Sequence, residues 1–269
     1  MKIEKVLSAF WLLFTSAGLL IAQGENPSAL SSPPDPGRAA YTQLSRQIFV
    51  SPDDDPESLR TPHVDQKDQV AEVVAKLRGM VTERIESLLS TPNPTGTTIA
   101  DSIRHLQSTS LETWGTTDFT NTPFAEVFVL NGRQNLAVAY TILRGGAGIP
   151  DSQAYLDFYT QTTGKWELKG TAATDLPSST LFVRRLAAPF PEQSWYLVWG
   201  NRLGESGSRL NMRLYGSDGN SVRTIWQRDD LEGGTVEVTD NSVTLEYFKK
   251  YRDAESVHEV LYVMPDGLR

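Results

Sequence analysis

The chain has 269 residues, a formal net charge of −8 and no cysteine. An acidic chain argues against a nucleic-acid-binding protein, which would carry a basic face, and against adhesion to anionic lipid through a polybasic patch. The lack of cysteine excludes disulfides, thiolate metal sites, iron–sulfur clusters and cysteine nucleophiles, so the fold depends on burial of apolar side chains, for which this length suffices.

The first residues have the pattern of a secretory signal peptide. Lys2 and Lys5 precede an apolar run, Val6–Ile21, and residues 22–24 read Ala-Gln-Gly, a small-x-small step of the kind that signal peptidase cuts. The run is shorter than the roughly 20 residues that span a bilayer, which favours cleavage over an uncleaved anchor. We therefore expect a signal peptide at residues 1–24, no membrane span after its removal, and an exported chain, periplasmic or secreted. The absence of cysteine favours a bacterial source.

Residues 25–62 are predicted to form a Pro/Ser-rich disordered linker. Prolines interrupt any regular element, and serine and aspartate fill much of the rest. The acidic run Asp53–Glu57 lacks the ligand spacing and the turn glycine of a calcium loop, so it is interpreted as solvated charge. Within this segment, Tyr41–Val50 has enough apolar side chains to dock as a brief helix or an edge strand.

Residues 63–122 are predicted to be a helical segment. Between residues 66 and 90, apolar residues recur every three or four positions, which predicts a helix with one buried face, and Pro92 ends it. Gly79 is a weak point inside this helix. A second, shorter helix is predicted from Ile99 to about Leu111.

From residue 123 to residue 269 the pattern is typical of an antiparallel β-domain. Short apolar or alternating runs are separated by turn residues, and Asn131-Gly132 is the strongest hairpin signal because both residues tolerate positive φ. The predicted strands are 124–130, 135–143, 154–160, 165–170, 180–186, 195–200, 209–215, 221–227, 234–239, 242–248 and 257–264.

The fold class predicted from these elements is mainly β. We expect a C-terminal antiparallel β-meander, sandwich or partial-propeller-like, with one or two N-terminal α-helices covering one face or end of the sheets. A weak similarity between residues 156–166 and 212–226 leaves a duplicated four-stranded unit open as an alternative.

The sequence offers few residues for catalysis or metal binding. The three histidines, His63, His105 and His258, lie far apart without metal-ligand spacing, and no G-x-S-x-G elbow is present. We therefore assign no catalytic residue, no metal site and no cofactor. Paired carboxylates remain an alternative, because glycoside hydrolysis needs only two acids at a defined separation. Candidate acids on predicted strands include Asp157, Glu167, Glu237 and Glu246.

Aromatic residues concentrate in the β-domain and give the best candidates for ligand binding. Strand alternation places Tyr155 and Tyr159 on one face with Asp157, and they are the preferred exposed pair. Tyr215 shares a face with Arg213. Aromatic faces beside polar groups suit sugar rings or the anchor residues of another protein, although cross-strand packing alone is the competing explanation.

Together these patterns predict an extracytoplasmic, non-enzymatic binding or scaffolding module. Its partner would be an envelope protein or a glycan, with no nucleic acid, and self-association is possible in a protein with open sheet edges. The alternative is a secreted, glycosidase-like hydrolase that uses paired carboxylates.

Overall fold

The computed structural model describes residues 35–48, 64–112, 122–145, 151–176, 180–204, 207–249 and 255–269. These residues all belong to one unit, Asp35–Arg269. The predicted signal peptide and residues 25–34 and 49–62 of the predicted linker lie outside the described residues.

Helices come first in the described chain, and strands follow. The helices are α1 (Pro36–Ser45), α2 (Val64–Leu89) and α3 (Gly96–Glu112). The strands are β1 (Phe124–Leu130), β2 (Arg133–Gly145), β3 (Asp151–Thr162), β4 (Lys165–Ala172), β5 (Phe182–Leu186), β6 (Ser194–Gly204), β7 (Gly207–Ser217), β8 (Val222–Val238), β9 (Ser242–Phe248), β10 (Ser256–Met264) and β11 (Gly267–Leu268). Within the described ranges, no helix has both the length and the apolar character needed to cross a membrane.

Helix α1 lies inside the segment that the composition assigns to a disordered linker. Its N-cap, Asp35, accepts hydrogen bonds from the backbone N–H groups of Gly37 (2.9 Å) and Arg38 (3.4 Å), and Pro36 occupies the first helical position. Tyr41 is buried, and its hydroxyl accepts a hydrogen bond from Gln107 on α3. These residues are ordered because an N-cap and a docked tyrosine offset the entropy cost of ordering a short helix.

The two predicted amphipathic helices are confirmed as α2 and α3. Their apolar faces pack on one face of the first sheet, where Leu77, Val81 and Ile85 of α2 share a core with Leu136 and Val138 of β2. Helix α2 therefore buries the face that its three-to-four spacing predicts.

The strands form two antiparallel sheets, which confirms the mainly β, meander prediction. The four-stranded sheet has the order β1-β2-β3-β4, and the seven-stranded sheet has the order β11-β10-β9-β8-β7-β6-β5. The first hairpin turns at Asn131-Gly132, where both residues have positive φ (53° and 72°), as that dipeptide predicts.

The two sheets pack face to face as a sandwich. The face of the four-stranded sheet that points away from the helices contributes Ala137, Leu156 and Phe158, and these residues share a core with Tyr196 and Tyr215 of the seven-stranded sheet. Both faces of the four-stranded sheet are therefore covered, by helices on one side and by strands on the other.

The seven-stranded sheet curls on itself. Strand β8 is a single long strand where the sequence predicts two, because a register shift between Glu232 and Thr235 bends it without breaking the pairing. Past the end of β5, the N–H of Ala187 donates to the carbonyl of Asp240 in the β8–β9 turn (2.9 Å). The inner face of the curl encloses its own apolar core, which includes side chains from β5 through β11.

Candidate functional site

Tyr155 and Tyr159 do not form an exposed pair. They lie on β3 in the core shared with helix α2, and only 6% and 1% of their surfaces are exposed. The predicted alternation is correct, since Leu156 and Phe158 point into the opposite core. The expectation of exposure is wrong because both faces of this sheet are covered, so alternation does not separate buried from exposed residues.

Asp157 is the centre of a buried polar network between α2 and the four-stranded sheet. Its carboxylate accepts hydrogen bonds from Thr171 Oγ1 (2.6 Å) and Tyr140 Oη (2.8 Å), and it pairs with Arg78 Nη2 (3.5 Å). The Arg78 guanidinium also lies 4.7 Å from the ring centroid of Tyr155. Burial raises the pKa of the Asp157 carboxyl, although the hydrogen bonds from Thr171 and Tyr140 and the charge of Arg78 oppose that rise.

Arg213 and Tyr215 share a face, as predicted, and they are also buried, with 5% and 2% of their surfaces exposed. Arg213 lies between two carboxylates, hydrogen-bonded to Asp229 and 3.5 Å from Asp175. The Tyr215 hydroxyl donates to Asp175 (3.2 Å), and burial raises the pKa of that hydroxyl. Tyr215 faces the sandwich core, which it shares with Leu156 and Phe158 of the four-stranded sheet.

Both networks pair their buried charges internally. Asp157 has three donors around it, and Arg213 has two carboxylates, so each charge is compensated where it is buried. These contacts hold α2 and the Asp175 loop against the sheets.

The four carboxylates considered for hydrolysis lie in different places. Asp157 is buried, whereas Glu167 is on the exposed side of β4 and pairs with Lys169 (2.5 Å). Glu237 and Glu246 lie on the outer face of the seven-stranded sheet, opposite Thr244 and Thr235 respectively, where both are exposed. The positions of these four carboxylates differ from those of the two catalytic acids in a glycosidase, which lie on either side of the bond that is cleaved.

The histidines that the structure describes are not brought together. His105 Nε2 lies 4.0 Å from Asp35 Oδ2, and His258 is exposed on β10. His63 is outside the described residues. Within the described ranges, no three His, Asp or Glu side chains converge as metal ligands do.

Three of the four edges of the two described sheets are protected against pairing with another chain. Gly96, at the start of α3, lies so close to β1 that an added Cβ would be 2.2 Å from the carbonyl oxygen of Ala125. The other two protected edges carry charged side chains, which discourage strand addition. These side chains are Lys165, Glu167 and Lys169 on β4, and Arg184 and Arg185 on β5.

Among the described residues, no helix contact and no lysine or arginine protects the fourth edge, at β10, in this way. Strand β11 pairs only with Val263 and Met264, so in the described structure Ser256–Leu261 pairs on one side only, with β9. We call the backbone of Ser256–Leu261 the β10 edge. Lysine and arginine are absent from β10, whose sequence is SVHEVLYVM.

The backbone direction along β10 identifies which groups face the open side. Tyr262 exchanges two hydrogen bonds with Arg269, on the side away from β9, with N···O distances of 2.6 and 3.1 Å. Because backbone direction alternates along a strand, His258 and Val260 also direct their N–H and C=O groups toward this side. The β10 edge therefore presents donors and acceptors in the pattern that an added strand requires.

Apolar side chains accompany this edge. Val260, Tyr262 and Met264, which we call the β10 stripe, are 39%, 59% and 43% exposed on the outer face of the sheet. Their neighbours on β9 are Thr244 opposite Val260 and Ser242 opposite Tyr262, and these short side chains leave them uncovered. An open edge beside exposed apolar side chains is typical of a surface that pairs with another segment.

The sequence contains part of the signal for this surface. The run at 257–264 is predicted as a strand, and the last long strand of a meander is an edge strand by topology. The alternation within it does not show which of its two faces is buried, so the sequence alone favours the aromatic residues of central strands over the β10 stripe.

Comparisons of the chain with protein-family models, with curated proteins and with solved structures find no match.

Proposed function

We propose that the chain is an extracytoplasmic, non-enzymatic binding or scaffolding module that receives an extended segment of another protein at the β10 edge. The observation that carries this proposal is the open edge at His258 and Val260 beside the exposed β10 stripe. Strand addition of this kind draws affinity from main-chain hydrogen bonds and specificity from alternate side chains. Export, periplasmic or secreted, is proposed from the pattern of residues 1–24.

The charges around the edge favour a basic partner. Glu246 lies directly opposite His258 on the outer face, and Glu237 lies on the same face of β8. In the described structure, the outer-face positions of β9 and β10 carry no lysine or arginine. A segment that alternates β-branched apolar residues with lysine or arginine complements this surface, whereas a second copy of this acidic chain is repelled.

Replacing Val260 by lysine is expected to weaken binding of a basic strand by about tenfold or more. The lysine places a positive charge at the edge, like the charges on the protected β4 and β5 edges. It also removes the apolar contact that Val260 would make with the added strand. The probe is a fluorescein-labelled peptide with a valine–threonine core and lysines at both ends, titrated with the purified chain and followed by anisotropy. Val129→Lys is the matched control, because Val129 is a 68% exposed strand valine on the other sheet.

Unchanged peptide affinity in the Val260→Lys variant would contradict the proposal, as would an equal loss in Val129→Lys. Tighter binding of the same core flanked by glutamates would contradict the partner chemistry. A concentration-dependent dimer in sedimentation that Val260→Lys abolishes would assign the edge to a second copy instead of another protein.

A further inference from the structure

His258 gives the β10 edge a side chain that changes its charge near neutral pH. Its side chain is exposed on the outer face of the sheet, on the same face as Val260 of the β10 stripe. Histidine is the side chain that ordinarily gains a positive charge as the pH falls from about 8 to about 5. The charge of the β10 edge therefore depends on pH at a position that an added strand must approach.

On one side, His258 lies beside an acid. In the register of the sheet it is directly opposite Glu246 of β9, and both side chains are exposed. The backbone groups of His258 face away from β9, so the two residues form a non-hydrogen-bonded pair, in which Cα atoms are about 4.5 Å apart and side chains are closest. A protonated imidazole at this position compensates the Glu246 carboxylate, which is the charge that attracts a basic segment.

On its other side, His258 faces the added strand. Its N–H and C=O groups point to the open side, so in an antiparallel pair the incoming residue opposite His258 forms a hydrogen-bonded pair with it, with Cα atoms about 5.5 Å apart. The side chain of that incoming residue lies on the outer face as well. The imidazole is therefore between the Glu246 carboxylate and the incoming side chain.

The other charged groups around this position lie on the inner face, on the next strand or near the ends of β9, β10 and β11. These groups are Glu259 with its partner Arg228, Glu237 on β8, Lys249, Glu255, and Arg269 with its partner Asp266. Glu259 points to the inner face because side chains alternate along β10. Carboxylate, ammonium and guanidinium groups ordinarily keep their charges between about pH 5.5 and 7.5, so these residues contribute a constant background.

We propose that His258 is a pH-sensitive switch for strand addition at the β10 edge, which binds a basic segment while His258 is neutral and releases it when His258 is protonated. This inference rests on the proposed function, because it describes the regulation of the same edge. Neutral His258 leaves the Glu246 carboxylate to attract a lysine or arginine of the segment. The protonated ring compensates Glu246 and repels the incoming cation. Binding therefore releases a proton to solvent, and the affinity for a basic segment rises with pH.

The test is isothermal titration of the purified chain with the unlabelled, end-capped, lysine-flanked valine–threonine peptide at about pH 7.5 and about pH 5.5, on either side of the range in which histidine ordinarily titrates. We expect the native chain to bind this peptide about fivefold more weakly at the lower pH. The same core flanked by glutamines is the control probe. It carries no charge and should bind equally at both pH values.

Two substitutions at position 258 fix the charge of the switch. His258→Gln is neutral at both pH values and should bind the basic peptide at the lower pH as the native chain does at the higher. His258→Lys is positive at both and should bind weakly throughout. His105→Gln is the matched control, because His105 is an exposed histidine on α3, and it should keep the native pH dependence.

The switch is overturned if the native chain binds the basic peptide equally at both pH values, or if the pH dependence persists in His258→Gln. It is also overturned if His105→Gln removes the pH dependence, or if the glutamine-flanked peptide shows the same one. In each of these results the peptide still binds, so the proposed function is not contradicted. Failure of both peptides to bind the native chain at either pH would contradict the proposed function together with the switch.

Discussion

Replacing Asp157 by alanine is expected to lower the free energy of unfolding by about 3 kcal/mol. The substitution leaves the Thr171 and Tyr140 hydroxyls without their acceptor and removes the ion-pair partner of Arg78, which still donates to Thr171 Oγ1 (2.8 Å). Tyr140 is 1% exposed and has no route to water, whereas the Arg78 side chain is one-third exposed and can be rehydrated. The expected loss is therefore at the lower end of what removing one partner of a buried pair costs.

Asp157→Asn is the matched control. The amide keeps the shape of the carboxyl, and its oxygen can still accept a hydrogen bond from one of the two hydroxyl donors, Thr171 or Tyr140. We expect a loss of about 1 kcal/mol in this variant. Urea unfolding followed by circular dichroism measures both values. Equal stability of the native chain and Asp157→Ala would show that the network does not hold α2 on the sheet.

Replacing Gly96 by alanine is the second substitution with a large expected effect. It should lower the free energy of unfolding by about 3 kcal/mol. The added Cβ would lie 2.2 Å from the carbonyl oxygen and 2.8 Å from the carbonyl carbon of Ala125, both backbone atoms of β1. Backbone cannot rotate away as a side chain can, so the start of α3 must move off the sheet. The core residues Ile99 and Ile103, both fully buried, would move with it.

Gly79→Ala is expected to have the opposite effect on the stability of the protein. Gly79 is inside α2, and an added Cβ there meets no atom within 4 Å. Alanine at this position should stabilise the protein by about 1 kcal/mol through helix propensity. Thermal unfolding of the two variants should therefore shift in opposite directions. A Gly96→Ala protein that melts with the native one would refute the close approach of α3 to β1.

The local elements were predictable because their signals are local. The apolar spacing of α2 and α3, the Asn131-Gly132 turn and the alternating runs identify two of the three described helices and nearly every strand. The structure differs from the prediction where tertiary contacts determine the local secondary structure. Helix α1 forms in a Pro-rich segment because Tyr41 docks on α3, and β8 stays one strand because a bulge bends it.

The candidate site was less accessible to sequence reasoning. Tyr155 and Tyr215 alternate as predicted, but alternation does not reveal that helices and a second sheet cover both faces of β3. In a meander, the chain order alone predicts that β10 is an edge strand. The exposure of Val260, however, depends on the short side chains that lie beside it on β9.

Amide hydrogen exchange, with and without the lysine-flanked peptide, tests the central proposal most directly. Strand addition at the β10 edge predicts slower exchange at His258 and Val260, whose N–H groups face the open side, and little change at Leu261, which faces β9. Unchanged exchange along β10 at a peptide concentration that saturates binding, or protection confined to another strand, would contradict it.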